Sequence, residues 1–142
     1  MTPPPLSTYP SVPPASGPHQ PVPLHAGVYG DPPDVYSAIH SLEHGGVIVW
    51  LAPAAEPFAG SEFFKDAANI DHVIVAPYDY PEQGKYGSLP AGTQMALVAW
   101  HHVQLCKSPN LEAVQEFLSG YRYPPLGGGP YLGDAPEQGL PI

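Results

Sequence analysis

Hydrophobic residues repeat at helical spacing over residues 34–44 and then run without interruption over residues 47–51. Asp34 follows two prolines and suits a helix start, because its carboxylate accepts hydrogen bonds from the first backbone N–H groups. Gly45-Gly46 favours the left-handed turn at which many helices end. The pattern therefore predicts a helix followed at once by a buried strand. The apolar face of that helix would consist of Val35, Ile39 and Leu42.

Four more segments carry the signals of regular structure. They are a helix over residues 61–68, a strand over residues 72–76, a strand over residues 95–100 and a helix over residues 110–118. Ser61 and Ser108 are the expected N-caps, and Gly120 is expected to end the last helix. The order α-β-α-β-β-α predicts an α+β fold, with a small three- to four-stranded sheet packed by about three helices.

Proline is distributed unevenly along the 142 residues. Of the 22 prolines, 11 precede Asp34, and others cluster after Tyr123. Such segments prefer polyproline II or turns, because proline lacks the N–H that helices and sheets need. We therefore expect an extended arm over residues 1–32, a compact α+β domain over residues 33–123 and a Pro/Gly-rich tail over residues 124–142.

The charge balance narrows the classes of partner. The formal net charge is −9, with only 4 Lys+Arg, so binding to nucleic acid through phosphate contacts is excluded as a main function. No apolar run reaches the length of a membrane span, and the N-terminus lacks a signal-peptide pattern. Cys106 is the only cysteine, which rules out an intramolecular disulfide.

Two histidines at the end of the first predicted helix carry the strongest chemical signal. His40 and His44 are four residues apart, so both rings leave the same side of the helix. A pair of imidazoles next to a carboxylate suits a transition-metal site. Glu43 would point about 100° away from His44, which favours an outer-shell or ion-pair role for it. The alternative is purely structural, with both rings packed against the negative end of the helix dipole.

Three motifs together resemble a known family. Residues 13–19 read Pro-Pro-Ala-Ser-Gly-Pro-His, residues 27–29 read Gly-Val-Tyr, and residues 40–47 read His-Ser-Leu-Glu-His-Gly-Gly-Val. Over residues 9–123 the chain resembles the bacterial domain of unknown function 3105 family, whose activity is not established. The resemblance implies an exported or membrane-anchored protein. It also implies that the histidine of Ser-Gly-Pro-His, His19, accompanies the helical pair.

His19, His40 and His44 would then form a three-imidazole metal site. Three neutral imidazoles suit copper or zinc, and the Irving–Williams order favours copper. His25 is an alternative fourth ligand, while Met95 and Cys106 are soft donors that would favour Cu(I) if they faced the site. By default, both belong to the core. Of the other histidines, His72 is expected at the surface or at a cap, and His101 and His102 are expected on opposite faces of one strand.

The sequence favours binding over catalysis and leaves three functions open. The first is a copper-binding protein that stores or delivers its metal or uses it to clip an assembly together. The second is a subunit that forms a homo-oligomer or filament through the Pro-rich arm. The third is a small zinc hydrolase, because His40-x-x-Glu43-His44 matches a metallopeptidase pattern in which the glutamate is the base. Its missing carboxylate ligand would come from Glu112 or Glu116. Export is expected from the resemblance, and a cytoplasmic location stays open.

Overall fold

The computed structural model describes residues 3–67 and 71–142, and the fold is built on a five-stranded mixed sheet in the order β1-β3-β2-β4-β5. The strands are β1 Gly27–Val28, β2 Val47–Leu51, β3 Val73–Pro77, β4 Met95–Ala99 and β5 His102–Cys106. The α-helices of the described ranges are α1 Val35–Glu43, α2 Glu62–Ala67 and α3 Leu111–Tyr121. The predicted α+β class is confirmed, and the sheet has more strands than the three to four expected.

The sheet combines two parallel and two antiparallel pairings. Strands β1 and β2 both run parallel to β3, and β4 runs antiparallel to β2 and to β5. Two strands escaped prediction for local reasons. Strand β1 has only two residues, too few to show the alternation of apolar and polar residues that marks a strand. Strand β5 follows a turn in which His101 has a φ of 65°. Glycine usually marks such turns, and this one has none at that position.

Both faces of the sheet are covered, which explains why β2, β3 and β4 are continuous apolar runs. One hydrophobic cluster joins α1 to β2 through Ile39, Leu42 and Trp50. A second cluster on the opposite face joins Val49 of β2 to Val114 of α3. The end of α1 is therefore fixed against one face of a rigid sheet. Among the described helices, none combines the length and the apolar character that crossing a bilayer requires.

The Pro-rich arm packs on its own domain. Leu6 is 1% exposed, and with Tyr9 and Ala15 it belongs to the same cluster as α1. The backbone N–H of Leu6 donates to Gln83 Oε1 at 3.1 Å, and the hydroxyl of Tyr36 donates to the Pro4 carbonyl at 2.9 Å. Exchange of the arm into a neighbouring molecule would have to remove these residues from the core.

Helix α1 begins and ends as its sequence predicts. Asp34 Oδ1 accepts hydrogen bonds from the backbone N–H groups of Tyr36 and Ser37. At the other end, the N–H of Gly45 donates to Leu42 O and the N–H of Gly46 donates to Ser41 O, both at 3.0 Å. These two bonds form a Schellman motif. Gly45 has a φ of +95°, a conformation that glycine adopts without strain.

The predicted caps of the other helices differ from the structure. Asn110, and not Ser108, caps α3, since its Oδ1 accepts from the N–H of Ala113 at 3.1 Å. Gly120 lies inside α3, one residue before its end, and the tail packs there, where Leu132 N–H donates to Gly120 O at 2.7 Å. Ser61 Oγ has no hydrogen-bond partner among the described residues. Residue 68 of the second predicted helix lies outside the described ranges.

The remaining histidines also depart from prediction. His72 is 3% exposed, with a φ of 65°, and its Nε2 donates to Leu140 O at 2.7 Å. It therefore anchors the tail and is not a surface residue. His101 lies in the turn before β5, so His101 Nδ1 and His102 Nε2 both reach the Asp134 carboxylate, at 3.0 and 3.3 Å. Both rings therefore reach one carboxylate, and the predicted placement of His101 and His102 on opposite faces of one strand was wrong.

Replacing Leu6 with alanine tests whether the arm belongs to the folded core. Because Leu6 is buried in the core cluster, we expect Leu6→Ala to lower the free energy of unfolding by about 2–5 kcal/mol. Urea denaturation measures the change. Val22→Ala in the same arm is the control, since Val22 is 64% exposed and should change stability by no more than about 0.5 kcal/mol. Equal responses would contradict packing of the arm on its own domain.

Replacing Gly45 with alanine tests the end of α1. A Cβ there would lie 2.8 Å from Tyr123 Cβ, on a backbone with a φ of +95°. We expect Gly45→Ala to cost about 1–3 kcal/mol of stability. In the matched control Gly30→Ala, the added Cβ meets no atom within 4 Å. An equal fall in melting temperature in both variants would show that a side chain at position 45 does not strain the turn.

Candidate metal centre

Three segments of the chain meet at the C-terminal end of α1. The helix end carries His40, Glu43 and His44; the arm brings His19, and the tail brings Glu137. The ring centroids of His19 and His40 are 4.7 Å apart, and those of His40 and His44 are 4.6 Å apart. The three histidines therefore lie in a row with His40 in the middle.

The arm holds His19 in a fixed turn. Gly17 has a φ of +106°, and the ring of Tyr9 lies so close to it that an added Cβ would be 3.2 Å from Tyr9 Cε2. The Tyr9 hydroxyl donates to the carbonyl of Pro18. His19 Nδ1–H in turn donates to Gly17 O at 2.9 Å. A ring held in this way loses little conformational freedom when it binds a ligand.

All three imidazoles are oriented by the same kind of bond. The Nδ1 atoms of His40 and His44 lie 2.7 Å from Gln20 O and 3.0 Å from Pro141 O, and His19 has its bond to Gly17 O. A carbonyl oxygen only accepts, so each Nδ1 carries the hydrogen. In a neutral ring the lone pair is then on Nε2. Metal-ligating histidines are typically fixed in this way, with the other ring N–H on a carbonyl or carboxylate.

The central pair is spaced for a shared cation. His40 Nε2 and His44 Nε2 are 3.1 Å apart, and with both Nδ1 atoms protonated the two lone pairs face each other. That arrangement is repulsive unless a proton or a metal ion lies between the nitrogens. Two nitrogen ligands of a tetrahedral zinc ion are about 3.3 Å apart, given Zn–N bonds of about 2.0–2.1 Å.

Two carboxylates border this row of rings. Glu43 Oε2 lies 3.7 Å from His19 Nε2, and Glu137 Oε2 lies 3.3 Å from His44 Nε2. Burial raises the pKa of the Glu43 carboxyl, its hydrogen bond with Glu137 raises it further, and the neighbouring His19 partly opposes both. The two carboxylates are so close that they repel each other when both are ionised, and a bound cation would offset that repulsion.

The donor atoms form two overlapping sets. In the arm set, which is His19, His40 and Glu43, one ligand atom from each residue lies within 4.8 Å of the others. The same holds for the tail set, which is His40, His44 and Glu137. Glu43 is thus a member of a donor set and stands beside an imidazole. The structure places His19 and His44 each beside His40 but in different donor sets, and the role of the three histidines as ligands stays a prediction.

Glu137 is the residue that sequence reasoning missed. Its own backbone N–H donates to Glu43 O at 3.0 Å, so the tail reaches the site by capping a free carbonyl at the end of α1. An acidic residue in a Pro/Gly-rich tail carries no local signal of such a contact. The carboxylates suggested instead, Glu112 and Glu116, are exposed on α3 and belong to neither set.

The other suggested donors lie elsewhere. Met95 is fully buried on β4, in the cluster on the opposite face of the sheet from α1, and Cys106 pairs with it in register on β5. His25 belongs to neither donor set, and its carbonyl oxygen accepts from the Tyr29 hydroxyl at 2.7 Å. Among the described residues, the two sets therefore contain only imidazole and carboxylate donors.

Comparison with known proteins identifies a family. A family model described as "Protein of unknown function (DUF3105)" matches residues 6–135, which include His19 and the end of α1 and stop just before Glu137. No curated protein and no solved structure matches the chain. Since the match covers most of the 142 residues, the chain belongs to the DUF3105 family of proteins of unknown function.

Proposed function

We propose that this protein binds a divalent transition-metal ion at the end of α1, within the cluster formed by His19, His40, His44, Glu43 and Glu137. The observation that carries the proposal is the shared orientation of the three rings, each with Nδ1 on a backbone carbonyl. Each Nε2 lone pair is thereby left for a ligand, without any rearrangement of the rings.

Copper(II) is the ion we favour, ahead of zinc. Sites of mixed nitrogen and oxygen donors suit Cu(II), and the Irving–Williams order places Cu(II) above the other divalent ions of the first row. The soft donors Met95 and Cys106 pack with the cluster on the other face of the sheet. Their position supports a divalent ion over Cu(I), which prefers thiolate and thioether ligands.

Storage or delivery of the ion is the role that the exposure of the ligands supports. The side chains of His19 and Glu137 are 21% and 47% exposed, while that of His44 is 9% exposed. An ion held there would be ordered by the protein and still reachable by a donor or acceptor. It would also clip the arm and the tail to the helix. We propose an exported setting for this role, in line with the family resemblance.

Metal titration of a His40→Ala variant tests the proposal. Protein purified without chelator or nickel resin is assayed for metal content and titrated with Cu(II) and Zn(II) by calorimetry. Loss of an outer-shell partner of a metal ligand costs about 10- to 100-fold in affinity. Since His40 belongs to both donor sets, we expect His40→Ala to weaken binding by at least that factor. His25→Ala is the matched control and should bind as the natural chain does.

Two results would contradict this function. One is a natural chain that carries no metal and gains no thermal stability from added Cu(II) or Zn(II), since an ion that binds the folded state must stabilise it. The other is an equal loss of affinity in His40→Ala and His25→Ala, which would place the binding outside the cluster.

A zinc hydrolase is the second candidate, favoured by the position of Glu137. His40, His44 and Glu137 supply the two imidazoles and one carboxylate of a catalytic zinc site, and Glu43 lies beside them as a base. The raised pKa of the Glu43 carboxyl moves it toward the range of a general base at neutral pH.

Glu43→Gln separates the two functions. If zinc-loaded protein hydrolyses unstructured peptides, the variant should lose about 10²- to 10⁴-fold in kcat, because the base is gone. Its zinc content should stay near one equivalent per chain if His40, His44 and Glu137 suffice as ligands. Turnover by the natural chain no faster than that of the zinc-free protein would reject the hydrolase and leave the binding function in place.

A further inference from the structure

The two donor sets share a single residue, His40. The arm set takes His19 and Glu43, the tail set takes His44 and Glu137, and both need His40. His40 Nδ1–H is used, since it donates to Gln20 O at 2.7 Å. Only Nε2 is left, and it carries one lone pair. It binds one ion at a time, so the two sets cannot both be complete.

The two sets are also chemically equal. Each consists of two imidazoles and one glutamate, so an ion meets the same donors and the same formal charge in either set. Its preference for one set over the other depends on geometry and exposure alone. A large difference in affinity between the sets is therefore not expected from ligand chemistry.

We propose that the centre holds one ion in two alternative seats, the arm set and the tail set, and passes it between them with His40 as the retained ligand. This inference rests on the proposed metal-binding function. In the transfer the bonds from the ion to His19 Nε2 and Glu43 break, and bonds to His44 Nε2 and Glu137 form. The exchange replaces one neutral imidazole and one ionised carboxylate with another of each, so the step transfers no electron and no proton.

The seats open to solvent on different segments of the chain. The arm seat borders His19, 21% exposed, and the tail seat borders Glu137, 47% exposed. An ion received on the arm side can leave on the tail side without becoming free in between, since it stays bound to His40. The arrangement suits a protein that accepts a metal from one partner and gives it to another.

Variants that remove one seat at a time test the proposal with Cu(II) as the probe. The arm seat is removed by His19→Ala with Glu43→Gln, and the tail seat by His44→Ala with Glu137→Gln. Binding constants of mutually exclusive seats add, so each double variant should still bind one ion, with a Kd within about tenfold of the natural chain. His40→Ala should lose one bound ion. The copper EPR spectrum of the natural chain should be a sum of the two double-variant spectra.

Three results would overturn the two-seat arrangement. Loss of two ions in His40→Ala would show two independent sites. Loss of all binding in one double variant, with normal binding in the other, would show one seat. A loss of more than about a thousandfold in both would show a single coordination sphere that needs every donor. A natural chain that binds no Cu(II) would instead refute the proposed function itself.

The folding of each variant is checked by circular dichroism without metal. Because the His44 side chain is 9% exposed, its truncation to alanine can leave a cavity. His44→Phe is the second variant, with a ring of similar shape and no donor nitrogen. The two versions of the tail-seat variant should bind the same number of ions. One bound ion in both supports the proposal, and loss of binding in both opposes it.

Discussion

Three hydrogen bonds from imidazole Nδ1–H groups to backbone carbonyls fix the rings at the end of α1: those of His40 and His44 tie the arm and the tail to the helix, and that of His19 lies within the arm. The acceptors are Gly17, Gln20 and Pro141. Gly17 and Gln20 each precede a proline, and the third acceptor is itself a proline. Because proline has no N–H, such segments do not fill their carbonyls in a regular sheet ladder. The Pro-rich composition thus leaves oxygens free to orient the rings.

The tail reaches the site for a related reason. A helix leaves its last carbonyls without partners, and here the tail supplies them. The N–H groups of Glu137 and Gly139 donate to Glu43 O and His44 O, both at 3.0 Å. The glycine turn at Gly45 ends the helix at this point and opens its last carbonyls to the tail. Backbone pairing therefore places the Glu137 carboxylate beside His44, with no side-chain signal in the sequence.

Sequence patterns predicted correctly those features that depend on residues close together in the chain. The start of α1 at Asp34, its end at Gly45 and the common side of His40 and His44 follow from helix geometry, and the structure has them. Strand β1, the anchoring role of His72 and the arrival of Glu137 depend on contacts between distant segments. The hairpin turn at His101 was missed because histidine occupies a left-handed position where glycine is usual. The position of His19 beside His40 was reached only through the family motif.

The charge of the site couples metal binding to docking of the tail. Glu43 and Glu137 stand together in a chain of net charge −9, and two ionised carboxylates in contact repel each other. Burial raises the pKa of the Glu43 carboxyl, and the contact with Glu137 raises it further. A metal ion beside both carboxylates would offset their repulsion, and it competes with protons for the same oxygen atoms. Low pH therefore weakens metal binding at this carboxylate. A bound ion in turn favours the docked tail over the undocked one, since the tail contributes a ligand.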